Sequence, residues 1–159
     1  MSQANLSKWL KLIIIGVAVC GAVVYGFILP ELGKELVDGA PEFSGFFWPW
    51  LIFFWVTGIP CYIALALCWR IAGNIGANRS FCAENAKLLQ RIAVLAAADS
   101  GLVFAGNVGF FLASMNHPGT ALGLLFVVFA GVAVSIAAAG LSHLTQKAAD
   151  LQEQSDLTI

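Results

Sequence analysis

Charge is what this sequence has least of. Only 11% of its residues are Asp, Glu, Lys or Arg, against 60% hydrophobic, which leaves too little polar surface for a soluble globular domain. Two histidines give no metal-ligand pattern, and His117 has no ligand-type neighbour. The four cysteines are Cys20, Cys61, Cys68 and Cys82. They include no C-x-x-C pair, and none falls in an outer loop where oxidising chemistry would place it; buried or free thiols are the plain reading. No P-loop, H-E-x-x-H or G-x-S-x-G occurs. Glu84 and Asn85 with His143 could meet at one surface, but these loosely related positions do not make an active site. No catalytic residue, metal or cofactor is expected, and the chain is not expected to be an enzyme.

What the sequence has is apolar length. Leu12 to Leu29, Phe46 to Trp69, Ile92 to Met115 and Thr120 to Leu141 each hold about 18 to 24 residues, enough at about 1.5 Å per residue to cross a hydrocarbon core of about 30 Å. The expected fold is all-α, an integral-membrane antiparallel four-helix bundle forming one domain over 1–159. The first run resembles a signal peptide, but its length and the lack of a small-x-small site favour an uncleaved anchor. Val19 before Cys20 argues against a lipoprotein cysteine.

Basic residues set the orientation. Lys8 and Lys11 precede the first span, Arg70, Arg79, Lys87 and Arg91 lie between the second and third, and Lys147 follows the fourth. Both termini are expected to be cytoplasmic in a multi-pass inner-membrane protein. Pro30 to Gly45, with Glu31, Glu35, Asp38 and Glu42, is expected outside. Trp9 and Trp69 fall at the inner boundary and Trp48 and Trp50 at the outer. Trp55 does not fit this belt and reads as a lipid-facing or packing residue.

Small residues bring membrane helices together. Ala97, Gly101, Ala105, Gly109 and Ala113 form a ridge at every fourth position of the third span. Gly131, Ser135 and Ala139 repeat it in the fourth, and Ala18, Ala22 and Gly26 in the first. These ridges are expected to pack the bundle and leave self-association into a homo-oligomer open. A tight turn at Asn116, His117, Pro118 and Gly119 should join the last two spans, and Pro60 should kink the second.

Polar groups inside a membrane are functional suspects. Asp99 is the acidic residue within the spans, and it reads either as a carrier of protons or cations or as a structural group reaching toward Arg91, Lys87 or a water pocket. Ser100, Asn107 and Ser114 recur at seven-residue spacing, a polar stripe that would serve either interhelical hydrogen bonding or an ion path.

The inner loop holds Gly73, Asn74, Gly76 and Asn78. Ser80 is then placed to cap a helix through Phe81, Glu84, Lys87, Leu88 and Arg91 that extends the third span by about three turns. After the fourth span the chain should continue as an amphipathic cytoplasmic helix over 142–159, with Leu141, Leu144, Ala148 and Leu151 on one side and Gln146, Lys147, Asp150 and Glu153 on the other. It ends Asp156, Leu157, Thr158, Ile159, where two apolar side chains either fold back on the bundle or meet a partner.

The run from Phe81 to Ile92 (F-C-A-E-N-A-K-L-L-Q-R-I) and the ending L-Q-E-Q-S-D-L-T-I resemble an uncharacterised family of bacterial four-span membrane proteins, domain-of-unknown-function family twenty-nine seventy-five. Its members show F-x-x-E-N-x-x-x-L-x-x-I before the third span and end D-L-T-I or D-L-T-V. The resemblance implies an inner-membrane protein whose partner is a small helix-turn-helix regulator of the Xre or Cro type. Phe81, Glu84, Asn85, Leu88, Asp156, Leu157, Thr158 and Ile159 are then the expected partner-binding residues. The chain itself should not bind nucleic acid, because its tail is acidic and no basic stripe exists. The alternative is a small ion- or proton-coupled transporter or channel using Asp99, with Ser100, Asn107 and Ser114 as its path.

Overall fold

The computed structural model describes residues 2–39 and 41–156. Among them every element is helical: α1 (Gln3–Val23), a π-helical turn (Val24–Ile28), α2 (Leu29–Gly39), a 3-10 turn (Pro41–Phe46), α3 (Phe47–Gly76), α4 (Ala83–Leu112) and α5 (Pro118–Asp156). Four helical stretches are long and apolar enough to cross a membrane: Gln3–Gly39, Ser44–Gly76, Ala83–Leu112 and Pro118–Ser155. Each is longer than its apolar run, so both ends of the bundle are built from helix rather than loop.

Pro30 explains the π turn. The N–H of Leu29 goes to the carbonyls of Val24, a five-residue reach, so Tyr25 O loses its α-helical donor. The next candidate is Pro30, which has no N–H. Trp55 fills the gap, its Nε1–H donating to Tyr25 O at 3.0 Å. The residue that did not fit the aromatic belt is therefore a structural pin between the first and second spans.

The segment after Pro30, expected as an outer connection, instead forms α2. Gly33 is buried there because a Cβ would stand 2.9 Å from a Phe47 ring carbon and 3.4 Å from Trp50. Trp50 turns inward: it is 8% exposed and belongs to an apolar core with Leu51, Phe54, Val103 and Leu124, while Trp48 remains open. A second core lies toward the end that carries Gln3 and Asp156. There Ile92, Ala93 and Ala138 meet Ala64, Leu67, Cys68 and Ile71.

Among the described residues the spans pack in chain order. Backbone approach is close between α1 and α3, between α3 and α4, and above all between α4 and α5. α1 sits at the rim. Its one buried residue is Ser7, whose hydroxyl donates to Ala72 O at 2.6 Å; Tyr62 OH on α3 reaches back to Ala18 O at 3.0 Å. Lys11 lies over the Trp69 ring at 5.3 Å, a cation-π contact at the same end. α3 runs through Pro60 as one helix.

The ridge expected to dock the third span faces away from the other helices. Ala97, Gly101, Ala105, Gly109 and Ala113 are all exposed, and a Cβ added to Gly101 or Gly109 would meet nothing. The working face is the opposite one. Gly106 lets the Phe53 ring lie against the α4 backbone, where any Cβ would collide with it. Gly131 on α5 does the same for Ser100, and Ser135 Oγ donates to Ala93 O at 2.8 Å, so the α5 ridge is used as expected.

Candidate functional site

The end holding the α3–α4 connection carries a dense group of side-chain hydrogen bonds. α3 ends at Gly76, after which Asn78 takes a left-handed conformation, φ 58°. Arg79 N–H returns to Asn74 O at 2.9 Å. This is a Schellman-type stop, and Asn tolerates it better than most residues. Asn85, one turn into α4, then locks the connection. It is 1% exposed; its Nδ2 donates to Arg79 O and Ser80 O, both at 3.0 Å, while its Oδ1 accepts from Asn74 Nδ2 at 2.8 Å. Glu84 beside it pairs with Arg70 at 3.1 Å and Arg79 at 3.4 Å. Ser80 does not cap α4: its hydroxyl donates to Gln3 Oε1 at 3.0 Å, and the N-cap position is Cys82, without a side-chain bond.

These placements revise the expected partner-binding set. Asn85 and Leu88, the latter 3% exposed, are enclosed by the protein and hold its end together, so neither presents itself to a second molecule. Glu84 is half-buried in a three-charge cluster with Arg70 and Arg79. Phe81 is different, 60% exposed. Leu157, Thr158, Ile159 and the side chain of Asp156 lie outside the described residues.

α5 continues past the end of α4. Ser142 Oγ donates to Ala86 O at 2.7 Å and Thr145 is buried, so the last contact with α4 lies near its first residues. From Gln146 to Asp156 the helix rises about 15 Å further. The packed side is Ala138, Ser142 and Thr145. The leucines expected as the amphipathic face lie on a different side: Leu141, Leu144 and Leu151 are all exposed, Leu144 by 63%. Leu141 closes the apolar run on that side, and Leu144 and Leu151 continue the same line into the polar end of the helix.

The polar stripe of the third span divides in three. Ser100 is buried against α5 and its hydroxyl donates to Ala96 O at 2.7 Å. Asn107 Nδ2 donates to Ala121 O at 2.9 Å while its Oδ1 accepts from Asn116 Nδ2 at 3.3 Å, which fixes the α4–α5 turn. Ser114 is outside α4 altogether. It adopts φ 55° and ends the helix, with Met115 N–H on Phe110 O at 2.8 Å. His117 serves the same turn, its Nδ1 accepting from Gly119 N–H at 3.1 Å as a cap for α5. The three expected path residues therefore do not line one route.

Two cavities among the described residues bring a carboxylate into their lining. One, about 270 Å³, lies at the α4–α5 turn, with Phe47, Trp50 and Phe110 as apolar wall and Glu35, Asn116 and His117 among its polar lining. Sequence reasoning missed it because α2 was read as connection; the signal was Leu29, Gly33, Leu36 and Val37 at helical spacing. The other, about 320 Å³, lies between the two apolar cores and is lined by Asp99 and Ser100 of α4, Cys61 of α3 and Gly131 of α5. Asp99 Oδ1 is buried there without a hydrogen-bond partner, and Oδ2 has the Cys61 thiol at 3.9 Å. Neither Arg91 nor Lys87 pairs with it: the ion pairs among the described residues involve other groups. Nor do the described residues contain a His, Cys, Asp and Glu grouping able to hold a metal ion.

Comparison with known proteins agrees with this architecture. The chain is 26% identical over 152 residues, covering 94% of each chain, to the uncharacterized membrane protein YoaS of Bacillus subtilis (strain 168). No solved structure matches. Residues 31–159 match the family model described as "Protein of unknown function (DUF2975)", which takes in α2 and the three following spans. With four membrane-spanning helices and a family match over most of its length, this chain is a multi-pass membrane protein that belongs to the DUF2975 family.

Proposed function

We propose that this protein is a non-enzymatic membrane module that binds a cytoplasmic protein through the end where its termini lie, the partner being a small helix-turn-helix regulator of the Xre or Cro type. The cytoplasmic, inner-membrane orientation rests on Lys8, Lys11, Arg70, Arg79, Lys87 and Arg91, all near that end. One observation supports the reading above the others: Leu144, beyond the apolar run, and Leu151, past the contact of Ser142 with Ala86, stay exposed on α5 in line with Leu141. With Ala148 they stand at i, i+3, i+7 and i+10, the spacing by which one helix offers an apolar face to a groove. Leaving such side chains in water forfeits about 25 cal/mol for each Å² that burial would cover.

The contact surface is thus α5 with Phe81, rather than the F-x-x-E-N motif, whose Asn85 is internal. The residues Asp156 to Ile159, the last of the sequence, are part of the proposed surface.

The test is capture of the tagged protein from native membranes in mild detergent, comparing the natural chain with L144S/L151S and with a chain lacking residues 156–159. The expected result is a small DNA-binding protein recovered with the natural chain and lost with L144S/L151S, whose melting temperature is unchanged. Equal recovery from all three, or recovery of no such protein, overturns the proposal.

A further inference from the structure

The cavity beside Asp99 has a chemistry the proposed partner surface does not use. α3 and α5 have no close backbone approach; they meet through side chains in the two cores, one around Leu51 and Leu124 and the other around Ile92 and Ala138. Between these cores about 320 Å³ is left open, within the range of small-molecule sites, about 300–1,000 Å³. Its walls are aliphatic, including Ile92, Val103, Val128 and Val134. The outer wall is lipid-facing: Val127, Ala130 and Val134 are exposed.

A carboxylate in such a setting calls for a counter-charge or a proton. Asp99 has neither an ion pair nor, at Oδ1, any hydrogen-bond partner, although this atom is buried. The neighbouring polar groups are already committed elsewhere: Ser100 Oγ donates to Ala96 O and Thr57 Oγ1 to Phe54 O. Cys61 Sγ stands 3.9 Å from Oδ2 and 3.7 Å from Thr57 O, and the Tyr25 hydroxyl beside it is engaged with Cys61 and Thr57. The protein has thus built an apolar chamber with a single negative group and no cation of its own.

We propose that this chamber binds a small lipophilic amine, which enters from the lipid and places its ammonium group on the Asp99 carboxylate and its apolar body between α3 and α5. Lipid access suits a molecule that partitions into the bilayer first. The single carboxylate suits a monocation, and the aliphatic walls suit a hydrocarbon or aromatic body. An anion is repelled, and a strongly hydrated metal ion finds too few oxygens.

The experiment measures saturable binding of radiolabelled 4-phenylbutylamine to the purified full chain in nanodiscs of uncharged lipid, with 4-phenylbutanol as the neutral match and empty nanodiscs as the partition control. Three proteins are compared: the natural chain, D99N, and A130F, which fills the chamber from its lipid side and keeps the carboxylate. Saturable amine binding by the natural chain is expected, at least tenfold weaker in both variants, with the alcohol showing partition only. Amine binding undiminished in D99N, saturable alcohol binding of equal strength, or no saturable binding to folded natural protein would each overturn the site. Should D99N fail to fold, A130F decides alone. Partner capture is read separately, so failure of one proposal leaves the other standing.

Discussion

Helix α4 carries two stripes of small and polar residues, and only one is in use. On one side Gly106 takes the Phe53 ring of α3, Ser100 fits against Gly131 of α5, Asn107 bonds to Ala121 O and Ala93 O accepts from Ser135. On the other, Ala97, Gly101, Ala105 and Gly109 repeat every fourth residue and stay exposed, with open space around both glycines. By spacing alone the second stripe is the better docking ridge. Regular spacing shows that a face is smooth; a partner with a complementary knob, such as Phe53 over Gly106, makes it an interface.

The largest expected effect tests that difference directly. G106A should drive a methyl group into Phe53, costing about 1–3 kcal/mol as overpacking does. G101A should leave stability unchanged or raise it by about 0.5–1 kcal/mol through helix propensity. Thermal unfolding of both in the same detergent checks this, and equal melting temperatures would remove the distinction between the two faces.

Second in size is Asn85. Replacing it with Ala strips the carbonyls of Arg79 and Ser80 and the amide of Asn74 of their partner inside the protein, for an expected loss of about 1–3 kcal/mol. F81A, four residues earlier and exposed, should move the unfolding midpoint little. A smaller change of opposite sign is expected at Ser114. Its φ of 55° strains any residue with a Cβ, so S114G should stabilise by about 1 kcal/mol. A lower melting temperature for S114G would mean that its side chain carries a contact worth more than the strain. The smallest effect should be E84Q, which weakens two largely exposed ion pairs and is expected to cost less than about 1 kcal/mol, an effect that added salt should diminish.

Much of the fold was legible because a bilayer narrows the choices. Long apolar runs can only be helices when every backbone group must be satisfied internally, and the tail helix followed from its amphipathic spacing. The misreadings share one cause. Ser80 and Ser114 were each assigned by a rule about their residue type, at a helix start and in a polar stripe. Each was placed instead by a neighbour far away in sequence or by the way its helix ends. The F-x-x-E-N motif teaches the same lesson. Its Asn is distinctive because a turn with several unsatisfied backbone groups needs an amide that both donates and accepts, and this need is invisible without the folded α3–α4 connection.

The sequence by itself determined the number of spans, their helical state, the helical tail and the family, because these depend on local composition, period and motif. Tertiary structure alone decided which stripe of α4 is docked, which motif residues are enclosed, and that Asp99 stands unpaired beside a chamber. Those outcomes depend on which side chain of one helix lands opposite which gap in another, and that register is set by contacts between residues as far apart as Ala86 and Ser142, over distances at which sequence periodicity carries no information.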